Sequence, residues 1–202
     1  LARGRLLRPR DASAALMEVQ PKKEAIMADI DHQPRQDLSG AEAGQKIREI
    51  AKDTRTCMFQ TGLDSFPGDT RPMSIQEVDE DGTFWFLSST ESEKNRDIAR
   101  DPRVVLTCQN EGKMAYLAVS GRASIHTDPA TIDRYWTEFA KAWFKGKGDP
   151  RVSIIQVVPA DGHYWETRDG KIVAFAKMSF AAFTGASVDD GGVSGDLAPR
   201  LP

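Results

Sequence analysis

Residues 70–97 read TRPMSIQEVDEDGTFWFLSSTESEKNRD, a run in which a basic strand, a tight turn, an aromatic strand and a hydroxyl-rich helix start follow one another directly. Asp81-Gly82 supplies the positive backbone dihedrals of a two-residue hairpin turn, between one run ending at Val78 and another starting at Thr83. Two antiparallel strands therefore carry Arg71 and Ser88 in opposite directions. Beyond the second strand the chain passes Ser88, Ser89 and Thr90 into an amphipathic segment, and Thr90 and Glu93 are spaced as a capping box that would start a helix.

A helix start of this kind gathers unsatisfied N–H groups and the positive end of the helix dipole, and Lys94 in the first turn adds a full positive charge. Arg71, if the hairpin brings it alongside, would clamp the same anion with two parallel hydrogen bonds. The stretch reads as a pocket for a flat, anionic, aromatic ligand. The same residues also read as an ordinary helix cap, a solvated lysine and an arginine on an exposed strand face, and both readings stand at this level.

Working outward, Ser39 and Glu42 repeat the capping-box spacing, and Ala43, Ile47, Ile50 and Ala51 share one helical face, which predicts a helix over 41–52. Short turn-bounded strands are expected at 55–61, 70–78, 83–88, 103–109, 115–125, 152–158, 163–167 and 171–176, the last two joined by Asp169-Gly170 in a second hairpin. Asp128-Pro129 opens a further helix over about 130–142, with Ile132, Tyr135, Trp136 and Phe139 on its apolar face. Many antiparallel strands with two or three helices give an α+β class and a β-barrel with helices packed outside it.

Residues 1–38 are basic and lack a sustained period, so they are expected to be disordered. The stretch before Met27 reads as an upstream extension. Residues 184–202, rich in Gly, Asp and Ser, are expected to form a flexible tail, leaving 39–183 as the folded domain.

With 202 residues, 40% of them hydrophobic, the chain supports one good core. A net charge of -3 gives no basic surface for generic nucleic-acid binding. Only Cys57 and Cys108 are present, outside any C-x-x-C spacing, which excludes a disulfide framework and a cysteine zinc site and fits a reducing, cytoplasmic setting. No apolar run approaches the roughly 20 residues of a membrane span.

His32, His126 and His163 are scattered, with no metal-ligand spacing, so no metal site is expected. Neither a nucleophile elbow nor a phosphate loop occurs, and Gly146-Lys147-Gly148 lacks the strand context that such a loop needs. No carboxylate pair is forced together by pattern. Any chemistry would therefore be carried by a cofactor. Trp136, Trp143, Phe144, Tyr164 and Trp165 are aromatic candidates for core packing or for covering a planar ring.

The blocks TRPMSIQEV, DGTFWFLSS, SEKNRDIARDPRVVLTC, AYLAVSGRASI and GHYWE, in that order, resemble the general stress protein branch of the pyridoxamine 5'-phosphate oxidase-like family across most of 39–183. The resemblance implies a six-stranded split barrel, FMN or FAD as cofactor, and a homodimer with flavin at the subunit interface. It places Arg71 and Lys94 on the flavin phosphate and Ser88 and Ser92 as hydroxyl contacts. Backbone near Met73, Ser74, Phe86 and Leu87 would line the ring, with Trp143 or Trp165 as the aromatic crossing from the partner. It also implies flavin-dependent redox activity on an unknown substrate, or a non-catalytic flavin carrier or sensor. Two departures bear on function. The late segment DGKIVAFAKMSFAAF offers Lys171 and Lys177 but no Arg-His pair for a pyridoxal phosphate, which argues against pyridoxamine phosphate oxidation. Glu93 stands where the oxidases tend to carry a base, which weakens the phosphate clamp.

Overall fold

The computed structural model describes residues 34–64, 68–167 and 192–200, and those from Arg35 onward belong to one compact unit. In chain order the elements are β1 (Leu38–Ser39), α1 (Gly40–Ala51), β2 (Thr56–Thr61), β3 (Asp69–Val78), β4 (Phe84–Ser89), α2 (Glu93–Arg100), β5 (Arg103–Asn110), β6 (Ala115–His126), α3 (Pro129–Tyr135), a 3-10 turn (Glu138–Ala142), β7 (Val152–Thr167) and β8 (Gly192–Ala198). Strands β7, β4, β3, β2, β5 and β6 pair in that order, and β6 closes back on β7, giving a six-stranded antiparallel split barrel. β8 and β1 extend the sheet from the free edge of β7.

The alternation of each strand explains the core. Cys57 and Phe59 of β2, Phe84 and Phe86 of β4, Val104 and Leu106 of β5, and Leu117 and Val119 of β6 are all buried and point inward. Phe59 meets Phe86 edge-on at 5.2 Å. α1 adds Ala43, Ile47, Ile50 and Ala51 to the same cluster, as its helical spacing predicts. A second cluster forms outside the barrel, where Ile132 and Tyr135 of α3 pack with Val152 and Ile154 of β7, and Trp85 and Leu87 line its edge.

The β3–β4 connection differs from the expected two-residue turn. Asp79 N–H bonds Thr83 C=O (2.9 Å), Gly82 N–H bonds Asp79 C=O (3.0 Å), and within this loop only Gly82 has a positive φ, of 83°. This is a three-residue loop, a type I turn closed by a left-handed glycine.

β7 is one continuous strand where two were expected at 152–158 and 163–167. Pro159-Ala160-Asp161-Gly162 has turn composition, yet it stays paired with β6 through a bulge at Ser120/Gly121. The pairing needs close backbone approach: a Cβ on Gly121 would lie 2.5 Å from the Val158 carbonyl oxygen.

The segments flanking the expected domain differ from expectation where they are described, while residues 1–33, 184–191, 201 and 202 lie outside the described residues. Residues 192–198, read as part of a flexible tail, form β8, with Val193 and Leu197 buried against β7. Order also begins before Ser39: Gln36 N–H bonds Ser194 C=O (2.8 Å), Tyr164 Oη–H bonds Gln36 C=O (2.9 Å), and Arg35 pairs with Asp37 and Asp196. The strand expected at 171–176 and the turn at Asp169-Gly170 lie outside the described residues. Among the described residues no helix is long and apolar enough to cross a membrane.

Candidate functional site

The aromatic strand β4 leads into α2 as anticipated, but the helix is capped two residues later than expected. Ser92, not Thr90, is the N-cap: its hydroxyl accepts Asn95 N–H (3.4 Å) and donates to Ser89 C=O (2.7 Å). Lys94 is thereby the second helical residue. Ser92→Ala is expected to cost about 1 kcal/mol of stability, the usual scale of a lost N-cap, read from the denaturant midpoint.

Directly behind the cap lies a buried polar network. Asn95 Oδ1 accepts Ser88 Oγ–H at 2.8 Å, and Asn95 Nδ2–H donates to Ser153 Oγ at 2.9 Å. Asn95, Ser88 and Ser153 are all buried, so α2, β4 and β7 are held together by bonds that water does not replace. Ser88 faces inward because it shares the strand parity of Phe84 and Phe86.

Outside this network, a cavity of about 690 Å³ is lined by Ser74 and Gln76 of β3, Leu87, Ser88 and Ser89 of β4, Lys94 of α2, Arg151, and Thr137, Phe139, Ala140, Trp143 and Phe144. Its size is within the range of small-molecule sites. Its lining combines the Lys94 and Arg151 cations and the hydroxyl residues Ser74, Ser88, Ser89 and Thr137 with the aromatic residues Phe139, Trp143 and Phe144, and the Arg151 guanidinium lies 5.8 Å from the Phe144 ring. Lys94 is half-buried, and among the described residues no carboxylate forms an ion pair with it. Burial first, and then the nearby Arg71 charge, hold its ammonium pKa below the ordinary lysine range. Such a cation favours an anionic ligand.

The far wall is the 3-10 turn and its flanks. The helix expected to run through residue 142 stops at Tyr135, because Trp136 adopts extended backbone. The break turns Phe139 (86% exposed) and Trp143 (69% exposed) away from the core and onto the cavity rim. Asp149 fixes this wall: its buried carboxylate accepts Arg151 Nη2–H (2.8 Å), Lys145 N–H (3.0 Å) and Arg151 N–H (3.0 Å). The Arg151 side chain, followed by these backbone donors, holds the Asp149 carboxyl well below the usual carboxylate range. A depressed folded pKa gives stability that is present above the unfolded carboxylate value of about 3.9 and is lost as pH falls through the folded value. Asp149→Asn is expected to raise amide hydrogen exchange across 141–151 at neutral pH and to remove the acid-dependent part of that exchange.

The structure brings five of the sequence-derived site residues, Ser74, Leu87, Ser88, Lys94 and Trp143, to one cavity. Others lie elsewhere. Met73 and Phe86, expected to offer backbone to the ring, turn their side chains into the barrel core, as strand alternation requires, and that burial leaves the backbone expectation untouched. Ser92 is occupied by its cap, and Glu93 is exposed in the first turn of α2. Arg71 sits near Lys94 but off the cavity wall: its Nη1–H donates to Thr61 Oγ1 (2.7 Å), and its guanidinium lies 3.5 Å from Asp69 and 4.0 Å from Asp97. Trp165 is on the distal half of β7, opposite Tyr116 and against His163 (4.4 Å between rings), away from this chain's cavity. Gln76, Thr137, Phe139, Arg151 and the Asn95 network were not legible beforehand. Only the position of Asn95, three residues after Ser92, hinted at its role.

The Pyridoxamine 5'-phosphate oxidase like family model matches residues 42–189. General stress protein 26 of Bacillus subtilis (strain 168) is 31% identical over 83 residues, 39% of this chain and 59% of that protein, so the match spans less than two thirds of its length. Protein bli-3 of Neurospora crassa is 28% identical over 155 residues, 70% of this chain and 74% of that protein. Among solved structures, a general stress protein 26 from Jannaschia sp. CCS1 superposes with a TM-score of 0.65 at 25% identity, covering 78% of this chain and 98% of that one. The general stress FMN/FAD binding protein of Xanthomonas citri gives a TM-score of 0.53 at 25% identity, covering 61% and 87% respectively.

Proposed function

The chain belongs to the pyridoxamine 5'-phosphate oxidase-like family, and from that premise we propose that it is a flavin-binding general stress protein, holding FMN or FAD in the cavity beside Lys94. The observation that carries this reading is the half-buried Lys94 ammonium, without a carboxylate partner among the described residues, in a cavity that is also lined by aromatic residues. A flavin phosphate matches the cation, and an isoalloxazine ring matches the wall of Leu87, Phe139 and Trp143. The fit to these residues is chemical: a cation for the phosphate, apolar and aromatic side chains for the ring, and hydroxyl residues share one cavity.

When bound, the flavin would supply electron or hydride transfer to a substrate whose identity is open. The chain's own residues hold the phosphate, orient the ring against β3 and β4, and keep water from its apolar face. A carrier or sensor that binds flavin without turnover is the second reading, supported by the scarcity of acid–base groups along the cavity, where Lys94 and Arg151 are the only ionisable side chains among the described residues.

The proposed assembly is a cytoplasmic homodimer. Trp165, 42% exposed and distant from its own chain's cavity, serves as the aromatic that only a partner subunit would bring over the ring. Dilution to monomer is then expected to release flavin.

The test is the visible absorption spectrum of the purified protein after addition of FMN and removal of the unbound fraction by gel filtration. A retained spectrum near one flavin per chain is the expected result, and no retention of FMN or FAD overturns the reading. Turnover with NADH or NADPH then separates the oxidoreductase from the carrier.

A further inference from the structure

Cys57 and Cys108 are the only cysteines of the chain, and the barrel sets them side by side although they are far apart in sequence. In the antiparallel pairing of β2 with β5, Met58 lies opposite Thr107 and Phe59 opposite Leu106. The same register, continued by one residue, places Cys57 opposite Cys108. Both point into the barrel, 2% and 1% exposed. Hydrogen bonding to the Cys108 thiol first, and then burial, push the Cys57 thiol pKa up, as expected of two sulfurs that are neighbours in the core. Residues directly opposite each other in an antiparallel pair have Cα atoms about 4.5 or 5.5 Å apart, and both spacings fall within the roughly 4.4–6.8 Å that a disulfide spans.

We propose that Cys57 and Cys108 form a dithiol site that is converted to an intramolecular disulfide by a small-molecule disulfide such as oxidised glutathione. One protein thiolate attacks the glutathione disulfide, releasing one glutathione thiol and leaving a mixed disulfide on the protein. The second protein thiolate attacks that protein sulfur and releases the other glutathione thiol. The protein loses two protons and two electrons, and one glutathione disulfide becomes two thiols. In a reducing compartment the pair stays reduced. Burial and the raised thiol pKa slow attack on the native fold, because the thiolate is the reacting species. Exchange therefore proceeds when β2 and β5 part, or before they first pair. The cross-link would tie β5 to β2, whose other edge pairs Cys57 with Met73 and Thr56 with Ser74 of β3, the strand that forms one cavity wall.

The experiment refolds the full chain from denaturant in a glutathione redox buffer, so that burial imposes no kinetic block. It then blocks free thiols with N-ethylmaleimide under denaturing conditions and reads the intact mass. The expected product carries no maleimide and no glutathione, is lighter than the reduced chain by two hydrogens, and keeps the near-UV circular dichroism of the reduced protein. Cys108→Ser is expected to take up one maleimide or one glutathione at Cys57. Wild-type protein that returns with two maleimides overturns the proposal and leaves the pair as small apolar core side chains. A product that carries glutathione, or a cross-linked product without the native near-UV spectrum, overturns it as well.

Discussion

Replacing Lys94 with alanine is expected to lower FMN affinity by about 1.5–3 kcal/mol, the scale of a hydrogen bond to a charged group, read as a roughly 10- to 150-fold rise in Kd. The half-buried ammonium is desolvated before ligand arrives and has no carboxylate ion pair among the described residues. An anion therefore restores interactions that burial has removed, and alanine forfeits them without exposing a stranded partner. The sign of the pH dependence follows from the same geometry. The charged form binds phosphate, and the pKa of free Lys94 is depressed by burial and by Arg71, so affinity should fall as pH rises through that depressed value, below the ordinary lysine value of about 10.4. Lys94→Arg, which stays charged, should flatten that fall. Arg71→Ala should have the smaller effect on affinity, because the guanidinium already donates to Thr61 and lies near Asp69 and Asp97. Fluorescence titration of FMN across pH measures all three variants. Unchanged affinity in Lys94→Ala would remove the phosphate from Lys94.

The parts of the fold that were legible in the sequence are those written in local periodicity. β4 alternates Phe84, Phe86 and Ser88 inward with Trp85, Leu87 and Ser89 outward, and α1 repeats its apolar face at helical spacing, so both elements were readable. What failed was written in long-range contact. Gly192–Ala198 looks like a solvated tail because only Val193 and Leu197 are large and apolar, yet Gly195 is what allows close approach: a Cβ there would fall 1.8 Å from the Gln36 carbonyl oxygen. The far wall of the cavity was hidden for another reason. Helical spacing assigns Phe139 to a buried face with Ile132 and Tyr135, but the extended backbone at Trp136 and Thr137 resets the phase and turns Phe139 outward. The Thr90 capping box and the Ser92 cap compete for the same helix start, and the cap that is formed is the one whose third residue, Asn95, also satisfies Ser88 and Ser153. No local pattern shows that β7 will supply Ser153, and none sets the β2–β5 register that joins the two cysteines.

That dependence on Asn95 gives the largest expected loss of stability. Asn95→Ala removes an acceptor from Ser88 and a donor from Ser153, both buried. Each buried polar group left without a partner costs about 1–3 kcal/mol, and Ser88 retains a longer contact of 3.4 Å to Ser92 Oγ, so the expected total is about 2–4 kcal/mol. The denaturant midpoint should fall with the slope unchanged. Adding Ser153→Ala to Asn95→Ala should recover part of the loss, since removing both partners of a buried bond costs less than stranding one. A purely packing role for Asn95 predicts the opposite, with the double variant less stable than the single one because it empties more volume. FMN affinity should drop in Asn95→Ala alongside stability, because Lys94 precedes Asn95 in the first turn that this network anchors to β4 and β7. Restored stability without restored affinity in the double variant would show that the anchoring of α2, and not stability alone, aims the Lys94 ammonium at its ligand.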